Sequence, residues 1–186
     1  MRSRDQSNRT RIATRRRRAL ARITAPIAVF VLLATLLSVA YHYPYRADGA
    51  VSVLLTEYLA GYARVVGWVL SCFDPAVHVI GPDVIGRFSL RVSRDCDGMS
   101  VMILLTAAVI AFPTTWRRRL AGVTAGIALV AVINVLRLCT MYYIGVWWPD
   151  AFEFAHVEAW PILLTGSVFG MFLVWKTWVS GAARSA

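Results

Sequence analysis

Three side chains in this 186-residue chain could do chemistry together: Cys96, Arg137 and His156. A cysteine sulfur attacks carbonyl carbon and forms a covalent intermediate. An imidazole titrates near neutral pH and can carry protons to and from such a sulfur. A guanidinium stays charged, so it steadies an anion without serving as a base. Nucleophile, proton carrier and fixed cation are the parts of acyl transfer. Each also has a plain structural alternative: a small buried residue for Cys96, a snorkelling side chain for Arg137, and an interfacial ring among aromatics for His156. The conjunction of the three is what points to catalysis.

Their positions depend on the elements that carry them. The chain is 58% hydrophobic, above the roughly 45–50% of an average soluble domain. The excess falls in runs of about 17–25 residues, the length that crosses a hydrocarbon core of about 30 Å. The expected class is therefore an all-α integral membrane protein. The net charge of +10 is distributed in a way that fits membrane orientation better than nucleic-acid binding. Nine arginines lie between Arg2 and Arg22, three more form Arg117-Arg118-Arg119, and Lys176 and Arg184 stand near the C-terminus. Under the positive-inside rule these segments face the cytosol.

Residues 1–22 read as a basic, disordered cytosolic tail and 23–180 as one membrane-embedded domain. Ala25–Tyr43 reads as the first span, an uncleaved anchor rather than a signal peptide. Gly98–Pro113 runs inward, Leu120–Ile144 outward and Pro161–Trp178 inward. With both arginine clusters inside, no full crossing is left for residues 51–73. Ser52, Thr56, Glu57, Ala60, Arg64, Gly67 and Ser71 make a weakly polar stripe on that segment, so it is expected to lie in the outer interface as an amphipathic helix, or to dip in and return. The expected architecture is thus four spans and one interfacial helix. A short extracytoplasmic β-hairpin precedes Cys96. The alternation Phe88–Ser93 is one strand, with Val77-His78-Val79 as its partner and a turn at Gly81-Pro82-Asp83. Gly122 and Gly126, like Gly166 and Gly170, have the four-residue spacing that lets helices approach closely.

On this topology the three residues share one face. Cys96 sits at the outer end of a helix, whose N-terminus favours anions; Asp95 and Asp97 oppose that. Arg137 lies at outer-leaflet depth, where an ionised side chain is a functional candidate by default. Asn134, one turn earlier, is expected to hold its guanidinium. His156 precedes the last span, with Glu153 and Glu158 near enough in sequence to orient a ring nitrogen. His42 and His78 are also outside, but neither sits beside a span against which the Cys96 and Arg137 helices would pack. Cys139 points to another face of its helix. A Cys72–Cys96 disulfide stays open, and it would remove the nucleophile.

Cys96-Asp97-Gly98 at the start of a span, Ala111-Phe112-Pro113, Gly122-Val123-Thr124-Ala125-Gly126, Asn134-Val135-Leu136-Arg137 and then His156 together resemble the exosortase/archaeosortase family, in its short bacterial, exosortase H-like form. The resemblance runs from about Ala25 to Trp178. It implies a cysteine transpeptidase of the bacterial cytoplasmic membrane with its active site facing outward. Cys96 would be nucleophile, Arg137 charge partner and His156 acid/base, supported by Asn134 and Gly98. Its partners would be exported proteins ending in a short motif, a transmembrane helix and a basic cluster, together with membrane lipid. Transfer to an amine-bearing acceptor and hydrolysis both stay open. No cofactor, metal or nucleic acid is implied. Two other classes stay open: a non-enzymatic scaffold or assembly subunit in which Arg137 forms a structural ion pair, and an anion transporter.

Overall fold

The computed structural model describes residues 24–46 and 49–182. The basic tail expected at 1–22 lies outside them. The described residues form six helices, α1 (Thr24–His42), α2 (Ala50–Ser71), α3 (Met99–Ala111), α4 (Trp116–Trp147), α5 (Phe152–Phe154) and α6 (Trp160–Ala182), with a small sheet between α2 and α3 in sequence. A 3-10 turn, Pro149–Ala151, precedes α5. A π-helical turn, Ala155–Ala159, joins α5 to α6.

Four helical stretches among the described residues are long and apolar enough to cross a membrane: Thr24–His42, Ala50–Ser71, Trp116–Trp147 and Pro149–Gly181. The protein is a multi-pass membrane protein. Four is also the number of spans expected; α2, expected in the outer interface, is among the helices long and apolar enough to cross, and α3, expected as a span, is shorter. α2 has 22 residues, about 33 Å of helix, whereas α3 has 13, about 20 Å and shorter than the hydrocarbon core. The physical reason lies at the two ends of α3. Gly98 precedes it in a left-handed conformation, and Pro113 follows it, holding Phe112 extended.

Two apolar cores stack along α4. One joins α3, α4 and α6 through Met102, Leu105, Val109, Val130, Leu164, Val168 and Trp175. The other joins α2, the sheet and the far half of α4 through Val66, Leu70, Val84, Leu90, Leu138 and Tyr142. α2 thus packs on the sheet with Ala60, Ala63, Val66, Gly67 and Leu70 as its buried face. Ala60 and Gly67 of the expected polar stripe are buried. Glu57 and Arg64 stay exposed and pair with each other at 3.3 Å. Gly122 and Gly126 behave as their spacing predicts: a Cβ at the first would overlap the Trp175 indole, and at the second the Leu105 side chain. Gly166 and Gly170 do not; a Cβ at either meets nothing within 4 Å.

The expected hairpin is a three-stranded antiparallel sheet in the order β1 (His78–Ile80), β2 (Asp83–Ile85), β3 (Ser89–Arg91). The turn at Gly81-Pro82 is where the sequence puts it. It leads to a further strand, so Val79 pairs with Val84, and Leu90 pairs with the other side of Val84. Asp83-Val84-Ile85 is too short for alternation to reveal it. A polar knot holds the sheet to α4. The Tyr142 hydroxyl accepts from the Arg87 N–H at 2.9 Å and donates to Asp74 Oδ2 at 3.2 Å, and Asp74 also pairs with Arg87 at 3.5 Å.

Candidate active site

The site forms where the two cores meet. Arg137 stands 137 − 116 = 21 residues after Trp116 on α4, about 32 Å along the helix, or one hydrocarbon thickness from the arginine-rich end. Cys96 reaches this level through a turn after β3, with its N–H donating to the Ser93 carbonyl at 3.0 Å. Gly98 then takes φ +76°, a conformation that costs a residue with a Cβ about 1–2 kcal/mol. A Cβ there would stand 3.3 Å from both Asn134 and Val130. The backbone beside Cys96 therefore lies directly on α4.

Asn134 fixes that contact. Its Nδ2 donates to the Cys96 carbonyl at 2.9 Å and to the Tyr62 hydroxyl at 3.3 Å, and Tyr62 in turn donates to the Ala131 carbonyl at 3.1 Å. This corrects the expectation that Asn134 holds Arg137. Arg137 offers only donors, so the amide Oδ1 alone could bind it. The amide instead turns its NH2 toward the Cys96 backbone. Asn134 Oδ1 and Arg137 Nε are both buried without a partner among the described residues.

Asp97 is fully buried between α1 and α3. It accepts hydrogen bonds from the Tyr41 hydroxyl and, at 2.9 Å, from the Met99 N–H. Burial pushes its carboxyl above the usual carboxylate range, and the two hydrogen bonds pull the other way. Arg94 adds bonds to the Tyr41 and Tyr43 carbonyls at 3.2 and 3.3 Å, so the end of α1 is tied to the Cys96 loop. Tyr41, Tyr62 and Arg94 were not legible as site supports. Nothing in local sequence says which aromatic or basic residue folds back 50 or more positions away.

Cys96 Sγ and His156 Nε2 are 3.2 Å apart. His156 lies in the π-helical turn, just before Pro161 in α6. Proline has no N–H to give to the carbonyl four residues earlier, and the wider turn lies there; such turns recur at functional sites. The imidazole packs beside the Phe152 ring, with centroids 5.9 Å apart. Among the described residues Glu153 and Glu158, both exposed, make no bond to it. His42 and His78 lie against backbone carbonyls of their own segments, those of Ser38 and Ala76. Cys72 is free and exposed, and Cys96 and Cys139 are free and buried, so the Cys72–Cys96 disulfide is not formed.

A cavity of about 360 Å³ opens on this pair. Phe88, Ser89, Leu90, Arg91 and Ser93 line one side; Arg137, Leu138 and Met141 of α4 line another, with Cys96, Phe152 and His156 between them. Arg137 is only 5% exposed, and no described carboxylate pairs with it. A thiol touching an imidazole, beside a buried cation with a free donor, is a site equipped for nucleophilic chemistry on a carbonyl.

Fold and site together define a multi-pass helical membrane protein with a thiol–imidazole pair at a polar boundary of its bundle. The chain belongs to the transmembrane exosortase family (Exosortase_EpsH), which it matches over residues 12–175. Neither a curated protein nor a solved structure gives a match. Membership in that family suggests a role in processing proteins at a membrane.

Proposed function

We propose that the protein is a cysteine peptidase or transpeptidase that cleaves C-terminal sorting tails of exported proteins at the outer face of a bacterial cytoplasmic membrane. The observation that carries this reading is the 3.2 Å contact between Cys96 Sγ and His156 Nε2, in a cavity also lined by Arg137, whose Nε has no partner among the described residues. Orientation follows the basic clusters: the arginine-rich tail and Arg117–Arg119 face the cytosol.

Cys96 gives its proton to His156 Nε2, and the sulfur bonds to the scissile carbonyl carbon. The oxyanion that forms faces Arg137, whose Nε–H has no acceptor among the described residues. Collapse breaks the C–N bond. The leaving amine takes the proton from His156, and the carboxyl side remains on Cys96 as a thioester. His156 then removes a proton from water or an acceptor amine, which attacks the thioester and returns the thiol. Asn134 and Gly98 position the nucleophile, one by holding the Cys96 carbonyl and the other by allowing the turn onto α4. The scaffold alternative calls for an ion pair at Arg137, and no described carboxylate supplies one.

The test replaces Cys96 in cells that also express a secreted reporter ending in a motif, an apolar helix and a basic cluster. Cys96→Ala is expected to abolish processing, a loss of at least about a thousandfold if the residue acts as nucleophile, with the variant still in the membrane. Normal processing by that variant would contradict the mechanism.

A further inference from the structure

β3 is an edge strand. Among the described residues the sheet order leaves one of its sides without a partner strand, and that strand lines the cavity of Cys96 and His156. The ladder shows which backbone groups face out. Val92 N–H donates to the Pro82 carbonyl at 2.9 Å, and Gly86 N–H to the Phe88 carbonyl at 3.2 Å. Antiparallel bonding alternates along a strand, so Phe88, Leu90 and Val92 point their backbone groups at β2. Ser89 and Arg91 point theirs away. An exposed edge with free N–H and C=O groups is a template for another extended chain, and proteins ordinarily blunt such edges. Here no described strand pairs with it, and it ends five residues before Cys96. At the cavity's α4 wall stands a second unmatched donor, Arg137 Nε, buried and without a partner among the described residues.

We infer that the segment to be cleaved binds as a fourth strand on β3. This rests on Cys96 being the reacting thiol. The added strand is held by main-chain hydrogen bonds to Ser89 and Arg91, and its scissile carbonyl reaches the Arg137 side of the cavity. Strand addition of this kind takes affinity from the backbone and selectivity from pockets that receive alternate side chains. Leu138, Met141 and Phe152 form that apolar receiving wall. Substrate is thereby limited to chain that is extended next to its membrane helix, and a helical junction would be refused.

The experiment uses the full chain carrying Cys96→Ala in lipid nanodiscs, so that binding is read without turnover. The probe is a synthetic peptide covering the motif and the first apolar residues of the reporter tail, N-methylated at one backbone amide at a time. Strand addition predicts a period of two. Methylation of alternate amides weakens binding about five- to tenfold, the worth of one hydrogen bond, and methylation between them changes it less than about twofold. A uniform loss, or no loss at any position, overturns the inference. Ser89→Pro removes one outward N–H and no ladder bond, a place where an edge strand accepts proline. It is expected to weaken binding similarly with unchanged melting temperature; a folded variant that binds as well as its parent also overturns the inference. A period of two in binding, with no cleavage by the chain that keeps Cys96, would remove the peptidase reading and leave strand addition standing.

Discussion

Cys96 and His156 meet because the residues around them leave little freedom. Asn134 holds the Cys96 carbonyl, Gly98 turns the chain onto α4, and Phe152 flanks the imidazole. The carboxylate of Asp97, one residue from the sulfur, looks in sequence like an obstacle to a sulfur anion. Burial raises its proton affinity above that of an exposed aspartate, and the hydrogen bonds from Tyr41 and Met99 pull it back. The linkage has a definite sign. A carboxyl raised on folding contributes stability that is fully present below the titration of an exposed aspartate, about pH 4, and is lost as pH rises through the folded value. Asp97→Asn removes this dependence. In detergent micelles the melting temperature of the variant relative to the parent is expected to climb as pH rises above about 4, and a constant difference would show that Asp97 is not the group responsible.

α4 is the element common to both cores. Its Gly126 lets the Leu105 side chain of α3 lie against its backbone. Gly126→Leu should force α3 away, with a loss of about 1–3 kcal/mol from overpacking, seen as a lower melting temperature. Gly166→Leu, where a Cβ meets nothing, should leave it within about a degree or two. Sequence patterns showed the first of these contacts and not the emptiness of the second, because spacing reports what a helix face permits and not what packs there. The same limit explains the sheet. The turn at Gly81-Pro82 was legible from its residue types, while β2 was hidden by its three-residue length. The candidate site residues could be named because charge and thiol chemistry are rare in apolar runs. The partner of Asn134 could not, because an amide serves equally as donor and acceptor, and only the folded neighbours choose.

The whole molecule has two unlike ends, one carrying Arg117–Arg119 and the other the sheet, with the candidate site at the junction of the two cores. The outward orientation proposed for the sheet end makes a prediction through Cys72, the one exposed cysteine among the three, at the sheet-side end of α2. In a Cys96→Ala, Cys139→Ala background, a membrane-impermeant maleimide should label intact spheroplasts. Labelling only after permeabilisation would reverse the orientation. The covalent step comes down to one bond, from Cys96 Sγ to the reporter's carbonyl carbon. The full chain is incubated with the tail-bearing reporter, quenched in acid and digested, and the digest is read by mass spectrometry. A reporter fragment is expected joined through its new C-terminus to Cys96, released by neutral hydroxylamine as a thioester is. Continued cleavage of the reporter with the adduct on another residue, or with no adduct under conditions that slow its hydrolysis, would contradict it.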